Sequence, residues 1–344
     1  MQLKRATAIA PANIAFIKYW GVRDTTRTLP YNGSISMNLD ACLTTTTVTF
    51  DETLTQDEIT LTFYQQAPHR ATGKARERIV VHLDRLRALA GTDCYAQVVS
   101  SNNFPSDAGI ASSAAGFAAL TQAGFAALGL ELDERQLSLL ARRSGSGSAC
   151  RSIPSGYVEW YLPSIEFDLV QWDQTSYAES IAQPEHWDLA DVVAVVDTNA
   201  KKIGSAENHR LATSSPYFAT RLSEIPDRLV AVREAIVERD FTKLGEVMEA
   251  DAVSMHAVCM TSHPPSFYWN GGTMNVIHAV RSWRNEGLEA YFTIDAGPNV
   301  HVICETANKE VVAQQLQQLP GVEFTITNVV GKGARLEHTT PDVE

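Results

Sequence analysis

Cysteine is scarce and unpatterned in this chain. Its five cysteines, Cys42, Cys94, Cys150, Cys259 and Cys304, are scattered, odd in number and form no CxxC pair. A disulfide framework and a zinc knuckle are thereby excluded as organising devices, and buried reduced thiols are expected. The histidines, among them His209, His256, His263 and His301, lack the spacing of metal ligands. Long apolar runs are missing too: nowhere do roughly 18 apolar residues follow one another, so no membrane span is expected. The segment Met1–Lys18 is broken by Pro11 and Asn13 and ends on a lysine. That is a poor signal peptide, and a cytoplasmic location is the expectation. Basic residues are in deficit, 28 Lys and Arg against 40 Asp and Glu for a formal charge of -12. This argues against a nucleic-acid or anionic-membrane surface, and any anionic ligand needs a local basic pocket.

What is present is a soluble-type composition, 44% hydrophobic and 20% charged over 344 residues, enough for two domains of ordinary size. We place these at 1–187 and 188–344, with the polar segment Ala182–Trp187 as linker. The first 50 residues read as strand, ending in the threonine-rich Leu43–Phe50. Helical spacing over Ala75–Ala90 is followed by a strand, Ala96–Ser100, and by a second helix from Ile110. Asp133 and Gln136 form a capping-box pattern that opens a third helix, which runs out at Ser144 and Gly145. A strand from Ser155 to Leu162 is expected to close the domain. The second half opens on the apolar strand Val192–Val196. Helices near Tyr217–Arg239, Thr242–His256, Thr273–Glu286 and Lys309–Gln318 follow, with strands at Ala290–Ile294, Val300–Glu305 and Glu323–Asn328. The pattern predicts an α+β arrangement of split βαβ type.

The most unusual stretch is Asn102–Gly116, NNFPSDAGIASSAAG. Small side chains where a strand turns into a helix let backbone N–H groups approach an anion, and the helix N-terminus adds about half a positive charge. It is a phosphate cradle of non-Walker type, with no Gly-Lys-Ser/Thr; close packing of a small-residue helix on a sheet is the alternative. Candidate ATP contacts are Asn103, Pro105, Ser106, Gly109, Ala111, Ser112 and Ser113, with Ser112 or Ser113 offering a hydroxyl to magnesium. Asp107 adds negative charge where phosphate is expected.

Five blocks, Ala10–Gly21, Leu29–Ser36, the small-residue loop, Gly145–Ser152 and Asp295–Asn299, together resemble the mevalonate diphosphate decarboxylases and the related phosphomevalonate decarboxylases of the GHMP kinase superfamily. The resemblance covers most of the chain. It implies a ribosomal S5-like N-terminal domain and a ferredoxin-like C-terminal domain, ATP and Mg2+ as cofactors, a homodimer, and a place in the mevalonate pathway of isoprenoid biosynthesis. Asp295, at the end of an apolar strand, is implied to face the C3 hydroxyl of the substrate as base or orienting group, and it is also a candidate metal contact. Arg151 is implied to orient the substrate carboxylate; on its own it reads equally as a surface ion-pair partner. Lys18 and Tyr19 are implied to reach substrate, Ser146 and Gly147 to meet the 5-phosphate, and Lys201 and Lys202 to lie near the transferring phosphate and ATP. Ser205, in the same block, is a further substrate candidate. The chemistry implied is phosphorylation of the C3 hydroxyl followed by loss of phosphate and carbon dioxide.

Two departures stand out. The family block Lys-Tyr-Trp-Gly-Lys reads Lys18-Tyr19-Trp20-Gly21-Val22 here, and the stretch after the paired lysines reads Gly204 to Arg210 in place of two serines and a Gly-Met. A lost cation and the acid at Asp107 both favour the smaller anion, since desolvating a diphosphate without cations is expensive. The expectation is therefore decarboxylation of mevalonate 5-phosphate to isopentenyl phosphate, with His209 or Arg210 as compensating contacts. The alternatives are mevalonate 5-diphosphate as substrate, a kinase that stops at phosphorylation, and an inactive ligand sensor.

Overall fold

A computed structural model describes residues 5–105, 109–110, 112–163, 166–198 and 204–340. Ser106, Asp107, Ala111, Lys201 and Lys202, all singled out above, lie outside the described residues. The first sheet holds β1 (Arg5–Ile17), β4 (Ser34–Asp51), β5 (Glu58–Thr62), β6 (His69–Arg70), β7 (Tyr95–Asn102), β8 (Tyr157–Trp160) and β9 (Ala178–Ala182), while β2 (Val22–Asp24) and β3 (Leu29–Pro30) pair separately. The second sheet has the order β11 (Tyr291–Thr293), β12 (Val300–Glu305), β10 (Leu189–Val195), β13 (Phe324–Val329). The final strand, β14 (Arg335–Thr340), returns to pair antiparallel with β1 of the first sheet, although it follows residue 188 in sequence.

The helices are α1 (Gly73–Ala90), α2 (Ser112–Ala127), α3 (Glu134–Arg143), α4 (Leu169–Thr175), α5 (Ser205–Leu211), α6 (Phe218–Glu238), α7 (Phe241–Thr261), α8 (Gly271–Asn285) and α9 (Lys309–Gln317). Alternation in β1 turns Ala6, Ala8 and Ala10 inward against α2, whose Ala114, Ala115, Ala118 and Ala119 are equally buried. Small side chains on both surfaces bring the helix close to the sheet, as the close-packing reading of this segment expects. Asp133 caps α3, its carboxylate accepting from the Gln136 N–H at 2.7 Å.

Strand β10 is buried along its whole length, as expected for a central strand covered on both faces. One face packs on α8 and α9. The other joins α6, α7 and the Ile14–Ile17 end of β1 in a core shared by both halves. The expected Ser155–Leu162 strand is β8, and β9 pairs on its outer side. The segment Ala182–Trp187 starts on the last residue of β9 and continues as the short turn Pro184–His186. Helices α4 and α5 and strand β14 have no counterpart in the sequence pattern.

Candidate active site

Lys18 follows the last residue of β1, and the interface grips its backbone at both ends. Its N–H donates to Asp251 of α7 at 2.8 Å, and its carbonyl accepts from Arg221 of α6 at 3.1 Å. Asp251 in turn holds Arg221 through two bonds of 2.9 and 3.0 Å and Arg228 through one of 3.2 Å. The Lys18 ammonium, 2% exposed, donates to the Ala15 carbonyl at 2.7 Å and to Asp295 Oδ1 at 2.6 Å. Asp295 Oδ2 has no hydrogen-bond partner among the described residues, and the carboxylate is 22% exposed at the floor of a cleft. Burial raises the Asp295 carboxyl, but Lys18, His301 and Arg151 outweigh it and hold its pKa below the ordinary value. Burial lowers the Lys18 ammonium against the opposing pull of Asp295.

Arg151 enters the same cleft from the turn Gly147–Ser152. It is 3% exposed, yet no carboxylate bonds to it among the described residues. Nε donates to Ser36 Oγ at 3.0 Å and to Asn13 Oδ1 at 3.3 Å, Nη2 to Asn13 Oδ1 at 3.1 Å, and Nη1 to Ser34 Oγ. Neutral partners fix the fork without cancelling its charge. A guanidinium held this way is prepared for an incoming anion, because burial of a charge is offset only by pairing. Asn32 completes the frame, donating to the carbonyls of Lys18 and Gly33 at 2.9 and 2.7 Å. The Leu29–Ser36 block thus carries the supports of Lys18 and Arg151.

The cleft, about 90 Å³ in volume, is lined by Lys18, Tyr19, Gly109, Ser113, Ser148, Arg151, Ser205, His209 and Asp295 among others. A second, more apolar cavity of about 270 Å³ lies under Leu61, Phe63, Ile79, Phe117 and Leu120, and Ser113 lines both. Ser113 Oγ lies 3.0 Å from Ser146 Oγ, which ties the N-terminus of α2 to the arginine turn. At Gly147 a Cβ would come within 3.0 Å of Tyr19 and closer still to Trp160, so only glycine fits.

Other expectations need revision. Arg210 is exposed and lines neither cavity. Asn103 spends its amide on the Leu43 N–H and the Ala41 carbonyl, at 2.8 and 3.0 Å, which bracket the loop to β4. His209 stacks on Tyr19 with centroids 4.1 Å apart and accepts the Gly21 N–H at Nδ1, 3.1 Å. Burial, with Arg151 adding to it, lowers its pKa to about 3. It is a neutral ring that offers Nε2–H, and it cannot replace a lost cation. Lys18 occupies Asp295 Oδ1, which leaves Oδ2 as the oxygen that faces the cleft; Ser113 also lines the cleft at the head of α2. Among the described residues no cluster of three acidic, His or Cys side chains suits a metal.

Two family models match in series: the diphosphomevalonate decarboxylase-like N-terminal domain over residues 10–176, and the mevalonate 5-diphosphate decarboxylase C-terminal domain over 191–341. The chain belongs to the diphosphomevalonate decarboxylase family. It is 37% identical to the diphosphomevalonate decarboxylase of Candida albicans, covering 97% of this chain and 95% of that protein, and 36% identical to the human one, covering 86% and 76%. The crystal structure of mevalonate diphosphate decarboxylase from Staphylococcus aureus superimposes with a TM-score of 0.87 at 36% identity, over 97% of this chain and 98% of that one. A structure described as MDDEF in complex with MVAPP, AMPPCP and magnesium gives 0.86 at 35% identity, over 98% and 99%. The fold is accordingly the mixed α+β, two-domain fold of the GHMP kinase type that these family members share.

Two buried histidines carry a stability consequence. His82 and His256 are each lowered to about 3, chiefly by burial. In the unfolded chain they take up protons near pH 6.5, so stability is full above that pH and is lost as pH falls towards 3. At pH 5 the expected loss is about 2 kcal/mol for each fully buried ring. Urea unfolding at pH 7 and pH 5 checks it, and His82→Gln, remote from the cleft, should flatten the difference.

Proposed function

We propose that this chain catalyses the ATP-dependent decarboxylation of mevalonate 5-diphosphate, giving isopentenyl diphosphate, ADP, phosphate and carbon dioxide. One observation carries the chemistry: Asp295, Arg151, Lys18 and Ser113, drawn from both domains, line one cleft. The relatives supply the substrate by name, and the MDDEF complex bound the substrate, a nucleotide analogue and magnesium together.

Asp295 Oδ2 accepts the hydrogen of the C3 hydroxyl and aims its oxygen at the nucleotide. A carboxylate with a depressed pKa is a weak base, and orienting suffices for a loose phosphoryl transfer. The γ-phosphoryl group passes to that oxygen as its bond to the β,γ-bridging oxygen breaks to leave ADP, and the hydroxyl proton is given up to a phosphate oxygen. The C3–O bond then breaks with its electron pair leaving on phosphate, while the pair of the C1–C2 bond becomes the new double bond and C1 departs as carbon dioxide. Arg151 holds the carboxylate in line for this loss. The nucleotide base occupies the 270 Å³ cavity, and its phosphates run past Ser112 and Ser113 at the N-terminus of α2. Magnesium supplies charge neutralisation on the phosphates when bound. Lys201 and Lys202 act on the transferring phosphoryl group, and Tyr19, Ser146, Gly147 and Ser205 on the substrate tail.

A specific observation favours a second reading, with mevalonate 5-phosphate as substrate. Among the described residues lining the cleft, Lys18 and Arg151 are the cations, and Lys18 is already paired. Val22 and the neutral His209 add no charge. Measured kcat/KM for the two substrates decides: a clear preference for the diphosphate sustains the first reading, and a preference for the monophosphate replaces it. Stoichiometric release of carbon dioxide with ADP separates either from a kinase.

A further inference from the structure

Behind the cleft, the inner face of the second sheet is mostly apolar, with Thr293 and a buried polar cluster beside it as the exceptions. Asp191 on β10, His301 on β12 and Asn328 on β13 share that face; Asp191 and Asn328 are direct cross-strand partners. All three are buried. His301 Nδ1 lies 2.9 Å from Asp191 Oδ2, which also receives Asn328 Nδ2 at 3.5 Å. Asp191 Oδ1 has no hydrogen-bond partner among the described residues. The other ring nitrogen, Nε2, lies 3.4 Å from the carbonyl of Gly109, three residues before α2 begins. Gly109 has φ +89°, and a Cβ there would come within 3.1 Å of Gly297 Cα in the turn after Asp295.

A buried polar pair is weak evidence for stability, since apolar residues of the same size serve as well or better. The placement of this one is informative. It spans from a strand of the second domain to the backbone that leads into the nucleotide-facing helix. The Gly109 carbonyl can only accept, so the contact at Nε2 is a hydrogen bond when that nitrogen carries a proton, and the ring is then held between Asp191 and Gly109.

We propose that His301 is a positioning residue for nucleotide binding: steered by Asp191, it holds the Gly109 carbonyl and so sets the approach of the small-residue loop to the Asp295 turn. This rests on the assignment of ATP to the N-terminus of α2. It also accounts for a buried carboxylate that Lys18, Arg151 and Asp295 do not touch among their described contacts.

The test separates the grip on Gly109 from the contact with Asp191. In Asp191→Asn the amide donates to Nδ1, leaving the proton on Nε2, so nucleotide affinity should stay within about twofold of wild type. In the double variant Asp191→Asn/His301→Asn the shorter side chain can meet residue 191 but not Gly109. One hydrogen bond is worth about three- to tenfold in affinity, so binding of Mg-AMPPCP by calorimetry and KM for ATP should weaken by that factor, with kcat little changed. Replacing the second Asn by Gln, whose amide reaches about as far as Nε2, should restore affinity. Urea midpoints for the single and double variants show whether folding is equal. Equal nucleotide affinity in the single and double variants overturns the inference, as does an Asp191→Asn variant as weak as the double. A wild-type chain that binds no nucleotide overturns the underlying ATP assignment, and the inference falls with it.

Discussion

Asp295→Asn should lower kcat by about 10³-fold or more while leaving KM for ATP nearly unchanged. Removing one preorganised group from a reacting centre costs roughly 10² to 10³, and here the substitution removes two functions. The amide cannot accept as strongly at the Oδ2 position from which the C3 hydroxyl is oriented. It also deprives the buried Lys18 ammonium of its 2.6 Å partner. Burial already lowers the Lys18 pKa against the pull of Asp295, so replacing the carboxylate by a neutral amide lowers it further. The substitution is isosteric and the backbone of Lys18 stays held by Asp251 and Arg221, so the fold should survive. Thermal unfolding and nucleotide binding check that, and a coupled assay for ADP and carbon dioxide checks turnover. Retention of more than a tenth of wild-type kcat would remove Asp295 from the centre of the reaction. An inactive sensor, by contrast, has no turnover for the substitution to lower.

Much of the site was legible because its chemistry is carried by short, local words. Asp295 before Ala-Gly-Pro, Arg151 after a Gly-Ser turn and Ser113 at the head of a small-residue helix could each be chosen from sequence, and all three line the cleft. Their supports could not. Asp251 and Arg221 are ordinary charged residues on helices, and only the meeting of α6 and α7 with the end of β1 makes them the clamp on Lys18. His209 illustrates the opposite error. A histidine and an arginine beside a lost lysine look like substitute cations, yet burial and the Gly21 N–H keep the ring neutral, and Arg210 is exposed and does not line the cleft. Local periodicity located α1, α6 and α7 because their apolar faces repeat. It missed β14, whose six residues become a strand through pairing with the edge of β1, a contact more than 300 residues away in sequence. A long-range partner leaves little trace in the strand it recruits.

Arg151→Gln should reduce kcat/KM for the phosphorylated mevalonate by about 10²- to 10³-fold, with the loss shared between KM and kcat. The bidentate fork is the sole cation among the described lining residues that is not already paired with a carboxylate. A charge-assisted bidentate pair loses two strong bonds at once, and in a desolvated site each is worth about 1.5–3 kcal/mol. The loss reaches kcat because the carboxylate must stay aligned with the breaking C3–O bond after phosphoryl transfer. Arg151→Lys should recover little, since a single ammonium on a flexible stem cannot engage Asn13, Ser34 and Ser36 while facing a planar carboxylate. The most informative readout is the product ratio. If Arg151 acts on decarboxylation more than on phosphoryl transfer, ADP should form faster than carbon dioxide in the variant, and a 3-phosphorylated intermediate should accumulate. If ADP and carbon dioxide fall together and in step, the arginine serves binding alone, and alignment of the departing carboxylate must come from elsewhere in the cleft.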